Sequence, residues 1–458
     1  MATVVQQFPD AERSEQSGHA PDIACLFGKV GVAATLTLCL TAPAVILGSG
    51  LPWLRAEQLA LIPVCLVYLW CLLVGLAEPL RPHAMFVIGA AYCVCILTSL
   101  AYGAWGLGHP VLYRDFYEIP KALLPVLFFT LGFETGSIEK TIRWLYAVLL
   151  VGTTLVCLYA WAQWFDLDIA RNLSRYYSGG EHIDVALAHY RRVYSTMGNP
   201  NVLAQLLTWL IGAFALAASF RIGYLLFNLA MLSMCGITLV MTGSRYGLME
   251  TALGLMLVLA LSLPRKNAKW KTLVILVLVV AALATASAYL GSGNRPTLDR
   301  LLTLSDPLRT DSVQERLNRL WRDASHAILQ SPWFGHGPAK ALFTGIITDS
   351  EHLDVLKEFG FFGFVVYACF FVYPLTTVWK GIRASHAISS RDPDIALLSW
   401  AAHLAMVMVV TAVTMGIGMS VLYNEPLRAY FWIWMGVGAS ASRALRRFSL
   451  TAHPETLS

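Results

Sequence analysis

Long apolar stretches, each close to the length that crosses a membrane, follow one another along most of the chain. A helix needs about 20 apolar residues to cross the hydrocarbon core of a bilayer. This pattern predicts an all-α polytopic membrane protein with about twelve transmembrane helices. The predicted spans lie near residues 28–48, 58–76, 84–104, 120–134, 143–165, 199–219, 222–242, 245–263, 272–290, 354–379, 395–417 and 426–442.

The composition supports a membrane location. Hydrophobic residues make up 57% of the chain and charged residues only 13%, whereas a soluble domain carries roughly 25% charged residues. The mean hydropathy is +0.60. The net charge of +5 is modest, and the basic residues lie in loops between apolar spans. We therefore interpret this charge as a topology signal and expect no nucleic-acid partner.

Lysine and arginine in short loops predict the orientation, because such residues concentrate on the cytoplasmic side. They occur in the loops 264–271 and 380–394 and in the C-terminal tail, 443–458. The N-terminal tail, residues 1–27, is then cytoplasmic as well. The two long loops, 166–198 and 291–353, face the periplasm, and they separate the N-terminal helices (28–165), the central helices (199–290) and the C-terminal helices (354–442).

The second long loop contains a candidate amphipathic helix near residues 311–330. Its apolar residues recur at helical spacing, whereas Arg316, Arg319 and Asp323 fall off that stripe. We expect this helix to lie on the bundle or in the membrane interface. The apolar stripe consists of Val313, Leu317, Leu320, Trp321, Ala324 and Ile328.

Three groups of arginines are predicted at the outer face. They are Arg191 with Arg192, Arg245 in the turn TGSRYG, and Arg316 with Arg319 and Arg322. Arginine binds phosphate oxygens through a planar fork and stays charged. Converging arginines beside a membrane suit a lipid-linked diphosphate. The alternative for each is an interfacial arginine that extends to the lipid headgroups.

Acidic and histidine side chains cluster where the tenth span begins, in the segment TDSEHLDVLKEFGFFG. Asp349 and His352 are three residues apart, so they share one face if the helix has begun. With Glu351 they are candidates to take a proton from an acceptor hydroxyl. The alternative is that they are ordinary polar residues at the end of a span.

Two further segments predict local structure. In GNPN, Asn199 is a candidate N-cap and Pro200 occupies the first helical position. SPWFGHGP, residues 331–338, is typical of a turn. The sequence has no strong metal-ligand spacing, Walker loop, dinucleotide fingerprint or GxSxG elbow, so we expect no metal and no cofactor. An enzyme acting at the outer face would then need a pre-activated donor delivered in the membrane.

These motifs together resemble the O-antigen ligase and polymerase superfamily of bacterial membrane glycosyltransferases. The resemblance rests on the order and spacing of RRVYSTMGNPNVLAQLL, TGSRYG, ERLNRLW, SPWFGHG and DSEHLDVLKEFGFFG. It implies a helical fold of the GT-C type and metal-independent, inverting transfer from a polyprenyl-diphosphate-linked glycan in the periplasm. It also implies that Arg191 or Arg192, Arg245 and Arg316 hold the donor diphosphate.

One departure bears on the activity. At the last motif, O-antigen ligases have a pattern like His-[Asn/Ser/Gln]-x9-Gly-x-x-Gly. In this chain, counting back from Gly360 and Gly363 places Asp349 and Ser350 in the two leading positions. The aspartate form is more like the polysaccharide polymerases of the superfamily. The leading hypothesis is therefore polymerisation of lipid-linked repeat units into O-antigen or exopolysaccharide at the inner membrane.

Two alternatives remain open. The first is a ligase, which moves finished glycan onto lipid A core or onto a protein. The second is a transporter or flippase, which would concentrate charge near the bilayer midplane and often carries inverted repeats; here the charges cluster in outer loops and we see no repeat. The partners expected for the enzyme are the glycan donor, a glycan acceptor, membrane lipids and a chain-length regulator.

Overall fold

The computed structural model describes part of the chain, in ranges that include most of the predicted spans. The described residues are 31–32, 34–42, 44–45, 54–74, 83–136, 139–177, 192–262, 311–338, 346, 348–388, 392–419 and 425–452. The predicted span 272–290, the basic loop 264–271 and Arg191 lie outside them.

The described residues are almost entirely helical, as the apolar pattern predicts. The helices are α1 (Ala56–Leu73), α2 (Ala84–Trp105), α3 (Glu118–Thr135), α4 (Glu139–Trp164), α5 (Asp168–Tyr177), α6 (Pro200–Phe220), α7 (Leu225–Met241), α8 (Arg245–Ser262), α9, α10 (Glu351–Ala387), α11 (Pro393–Met415) and α12 (Glu425–Ala452). Helix α9 runs through Asp311–Glu315, a π-helical turn at Arg316–Leu320, and Trp321–Gln330. Two two-residue strands, β1 (Ala44–Val45) and β2 (Leu54–Arg55), pair antiparallel.

Seven of the described helices are long and apolar enough to cross a membrane, which confirms a multi-pass helical protein. The central ones are α6 and α11, whose spans are 94% and 83% buried. Helix α6 packs against α7, α8 and α11, while α12 packs against α3, α10 and α11. Helix α11 thus joins the two groups. A helix that is apolar on all sides, as α6 is, belongs in the middle of such a bundle.

Two helices extend beyond the spans predicted for them. Helix α10 begins at Glu351 and ends at Ala387, beyond the predicted 354–379 at both ends. Helix α12 continues to Ala452 rather than ending at residue 442. The extension of α12 is amphipathic: Leu445 is fully buried, whereas Arg446 and Arg447 are exposed. An apolar window marks where a helix crosses lipid, and it misses the turns that continue into water.

Two basic residues near helix ends, Arg143 and Arg443, mark one end of the bundle. Arg143, near the start of α4, forms an ion pair with Asp394 at the start of α11, with 3.1 Å between Nη2 and Oδ1. Arg443 of α12 lies over the ring of Phe133, near the end of α3, at 4.4 Å from its centroid. The ends of α2 and α11 and the starts of α8 and α10 meet at the opposite end.

Helices α3 and α12 approach each other so closely that their contact requires glycine. An added Cβ on Gly132 would meet the carbonyl of Ile433, and one on Gly436 would meet the carbonyl of Phe129. Small residues permit such backbone contact between membrane helices, where close packing replaces the hydrophobic effect as the driving force. This contact fixes α12, and with it the wall of the cavity described below.

We expect Gly436→Ala to destabilise the protein by about 1–3 kcal/mol, because the new methyl group overpacks a contact between two backbones. The measurement is the thermal unfolding of the purified full-length protein in detergent. Gly254→Ala is the matched control, since its Cβ would meet only side-chain atoms at ordinary distances of 3.6 Å and beyond. Equal melting temperatures for the two variants would contradict the proposed close contact.

Candidate functional site

The segment before α10 holds Asp349 in an unusual backbone conformation. Its φ is +41°, in the left-handed region that non-glycine residues rarely adopt. The residues on either side hold it there. The Thr348 hydroxyl donates to the carbonyl of Ser350 at 2.8 Å, and the Ser350 hydroxyl donates to the carbonyl of Gly416 at 3.2 Å. Because Thr348 and Ser350 are buried while Asp349 is exposed, the strain presents one carboxylate at the surface.

Asp349 is the carboxylate of an arginine–aspartate cluster, formed by Arg316, Asp349 and Tyr246. The Nε and Nη2 atoms of Arg316 donate to Oδ2 of Asp349 at 3.3 and 3.2 Å. The Nη1 atom donates to the Tyr246 hydroxyl at 3.3 Å. The guanidinium carbon also lies 5.2 Å from the centroid of the Tyr246 ring. The side chain of Arg316 is only 13% exposed. The cluster therefore holds a largely buried cation at the surface of the bundle.

The prediction of a helix at 311–330 is confirmed, and the structure separates the arginines that this helix carries. Arg316 opens the π-helical turn and reaches the bundle, although it lies off the apolar stripe. Arg319 is 63% exposed and pairs with Glu315, and Arg322 pairs with Asp323 in similar exposure. π-Helical turns often occur at functional sites because they redirect side chains. Arg319 therefore does not join the cluster.

Arg192 holds together the turn from which α8 starts. Its Nε donates to the carbonyl of Thr242 at 2.7 Å, and its Nη2 donates to Oδ1 of Asn201 at 2.8 Å. Ser244 donates to the same Asn201 oxygen at 3.0 Å. Arg245 is the first residue of α8, next to Tyr246 of the cluster. The predicted Asn199 cap is also confirmed, since its side chain accepts from the Asn201 amide at 2.8 Å.

Asp349 and His352 would share a helix face only if the helix had begun at Asp349, and this condition is not met. Ser350 is the N-cap and α10 begins at Glu351, so Asp349 precedes the helix. The three candidate proton acceptors have different surroundings. Asp349 faces Arg316, whereas His352 Nε2 donates to the carbonyl of Val413 in α11 at 2.9 Å. Glu351 is buried, and its Oε1 accepts from the Tyr367 hydroxyl at 2.8 Å. Sequence spacing alone could not predict these different surroundings, because they depend on the residue at which α10 begins.

Helix α10 breaks at Gly360, where φ is +65°, and the turn at 331–338 docks into the break. The amides of His336 and Gly337 donate to the carbonyls of Lys357 and Glu358 at 2.9 and 3.0 Å. In return, the amides of the two residues after Gly360 donate to the carbonyls of residues 332 and 333, at 2.8 and 3.3 Å. The sequence predicted the turn but gave no sign of its partner.

Two hollows border α10. The charged cavity lies between α2, α3, α10 and α12 and contains Glu118, Lys121, Glu351 and Arg428. The apolar groove lies between α10 and α11 and is lined almost wholly by aliphatic and aromatic side chains, with His352 among them. Tyr367 lines both.

Comparison with known families supports the resemblance seen in the sequence. The arrangement is that of a multi-pass membrane protein with a charged, arginine-bearing site at one end of a helical bundle. Residues 229–368 match the family model described as O-Antigen ligase, a range that includes the arginine–aspartate cluster, the 331–338 turn and the break at Gly360. The match confirms the resemblance to the O-antigen ligase and polymerase superfamily, whose members are glycosyltransferase-like enzymes of the bacterial inner membrane. No curated protein matches the chain.

No group of three or more metal-ligating side chains occurs among the residues that the structure describes. The candidate site there consists of arginine, carboxylate and aromatic groups.

We expect Gly335→Ala and Gly360→Ala to destabilise the full-length protein in detergent strongly, because a Cβ on Gly335 would meet backbone atoms of α10 and a Cβ on Gly360 would meet backbone atoms of the docked turn. Gly108→Ala is the matched control. Gly108 has a similar φ of +69°, and an added Cβ would meet nothing within 4 Å. The Gly108→Ala variant should therefore lose only the roughly 1–2 kcal/mol of stability that an alanine costs in the left-handed conformation. An equal decrease in melting temperature for all three variants would contradict the docking interaction.

Proposed function

We propose that this protein polymerises polyprenyl-diphosphate-linked oligosaccharide repeat units into O-antigen or exopolysaccharide at the periplasmic face of the inner membrane. The arginine–aspartate cluster carries this proposal. It places a half-buried guanidinium and an exposed, strained carboxylate on one small surface, and transfer from a diphosphate-linked sugar needs both a cation and a proton acceptor.

The charge at this end of the bundle suits a diphosphate. Arg192, Arg245 and Arg316 lie in this part of the described chain, and arginine binds phosphate oxygens through a planar fork. The apolar groove beside His352 suits the polyprenyl chain, because its lining offers almost no polar surface. In this proposal Arg316 binds the diphosphate, and the exposed Arg319 is left out.

The proposed reaction is an inverting displacement. The hydroxyl oxygen of the acceptor sugar attacks the anomeric carbon of the donor sugar while the bond from that carbon to the diphosphate oxygen breaks. Asp349 takes the hydroxyl proton, and polyprenyl diphosphate leaves with its negative charge stabilised by arginine. Both bonds from Arg316 go to Oδ2 of Asp349, so Oδ1 is the oxygen we assign to the acceptor hydroxyl.

Basic residues at the end of the bundle opposite the cluster support an orientation for this proposal. Arg143, Lys380, Arg383 and Arg443 lie at or near helix ends opposite the cluster. Basic residues concentrate on the cytoplasmic side, so the cluster faces the periplasm in this proposal. The lipid-linked donor is pre-activated, which removes the need for a nucleotide at that face.

A ligase is the second candidate, because the match to the family model described as O-Antigen ligase supports either activity. The two activities use the same donor chemistry and differ in the acceptor. A ligase transfers finished glycan to lipid A core or to a protein, whereas a polymerase transfers it to another lipid-linked repeat unit.

We expect Arg316→Ala to reduce glycan transfer roughly 100- to 1,000-fold, as the loss of one charge-stabilising group does in other enzymes. Asp349→Asn should reduce it by at least about 100-fold, because asparagine accepts the same backbone conformation but cannot take the proton. The measurement is the amount and length of surface glycan in a deletion strain that expresses each variant at equal level.

Arg171→Ala is the control, because Arg171 is an exposed arginine that pairs with Asp166 at a distance from the cluster. It should restore full-length glycan. Normal glycan from Arg316→Ala or Asp349→Asn would contradict the assigned roles.

Deletion of the gene separates polymerase from ligase. We expect the deletion strain to lose long glycan and to accumulate single lipid-linked repeat units, measured by extraction of the polyprenyl-linked fraction. Intact lipid-linked polymer that is no longer attached to lipid A core or protein would show that the protein is a ligase. An unchanged glycan profile would contradict both activities.

A further inference from the structure

We propose that the charged cavity binds the terminal sugar of the acceptor glycan, a neutral saccharide rich in hydroxyl groups. This inference rests on the proposed function and assigns the second substrate to a second place. The cavity is formed by α2, α3, α10 and α12 and lies outside the arginine–aspartate cluster.

The position of the cavity supports this assignment. The first turn of α10 separates it from the cluster: Asp349 faces Arg316 on one side, and Glu351, two residues later, faces the cavity on the other. A reaction that joins two glycans needs two sites that adjoin at the reacting atoms. The segment from Asp349 to Glu351 is such a boundary.

The charge of the cavity differs from that of the proposed diphosphate site. Two carboxylates, Glu118 and Glu351, balance two cations, Lys121 and Arg428. Lys121 and Glu118 form an ion pair at 2.6 Å, and Glu351 accepts from Tyr367. A balanced set of charged donors and acceptors binds hydroxyl groups and does not select an anion. Charged groups are costly in a membrane bundle and mark functional sites.

Aromatic side chains complete the lining. Tyr92, Phe359, Phe370 and Trp432 contribute to the walls, and their rings can pack against the C–H faces of a sugar. Mixed aromatic and charged walls fit a saccharide better than a lipid tail, which would favour the apolar groove.

The first arm of the test uses cells of the deletion strain. We expect Glu351→Gln and Trp432→Phe each to reduce long glycan by at least about tenfold, with lipid-linked repeat units accumulating. Trp434→Phe is the matched control, because Trp434 lies two residues further along the same helix and packs against Trp400 in the core, at 5.6 Å between ring centroids.

The second arm uses the full-length protein in nanodiscs and two probes. The first probe is undecaprenyl diphosphate, which should bind the wild type, Glu351→Gln and Trp432→Phe equally and should bind Arg316→Ala at least about tenfold more weakly. The second is the oligosaccharide that mild acid releases from the lipid-linked units of the deletion strain. Its binding, followed by saturation-transfer NMR, should persist in Arg316→Ala and fall in Trp432→Phe.

The outcomes separate the two proposals. Loss of undecaprenyl diphosphate binding in Glu351→Gln and Trp432→Phe would place the cavity in the donor site and overturn the inference, as would normal glycan from both variants. Oligosaccharide binding that Trp432→Phe leaves unchanged would also overturn it. If the deletion strain accumulates no lipid-linked glycan, or if the wild type binds neither probe, the proposed function itself fails. Melting temperatures near that of the wild type would show that the variants are folded.

Discussion

The hydrogen bonds that close the break in α10 are the constraint on which the rest of the structure depends. A helix that stops inside a membrane bundle exposes backbone groups that lipid cannot satisfy. Here the 331–338 turn supplies the partners in both directions, with its amides bonded to carbonyls before Gly360 and its carbonyls bonded to amides after it. Ser99 of α2 adds a bond to the carbonyl of Glu358. The break can therefore persist without loss of backbone hydrogen bonding, and it separates a short first segment of α10 from the long membrane helix.

That short segment organises everything that we assign to function. Its cap, Ser350, is held by Gly416 at the end of α11, and its first residue, Glu351, faces the charged cavity. Asp349 precedes the cap and reaches Arg316 of α9. The turn that closes the break follows α9 directly in sequence, so the helix that carries Arg316 and the segment that carries Asp349 are tied together. The cluster is thus a product of backbone pairing some distance away from it.

The sequence predicted the parts of the molecule that depend on local pattern. The apolar spans, the amphipathic helix with Arg316, the Asn199 cap and the turn at 331–338 all follow from periodicity and turn chemistry. It could not predict the grouping of Asp349 with Tyr246, because both contact Arg316 from segments that are distant in sequence, and the π-helical turn aims Arg316 at them. It also placed Arg319 beside Arg316, since helical spacing alone cannot distinguish a side chain that reaches the bundle from one that pairs with its own helix. The charged cavity was missed because its four charges come from three different helices, and each looks like an isolated polar residue within or beside a span.

The left-handed backbone at Asp349 limits which residues can stand there during evolution. Besides glycine, the residues that tolerate this conformation best are asparagine, aspartate and histidine. The motif of the ligases that this chain resembles has histidine at this position, whereas this chain has aspartate. Two of these four residues, aspartate and histidine, can accept a proton, so an exchange between them preserves both the backbone geometry and the acid–base chemistry. Relatives could then diverge in the residue, and in the acceptor that it serves, while the main chain stays the same.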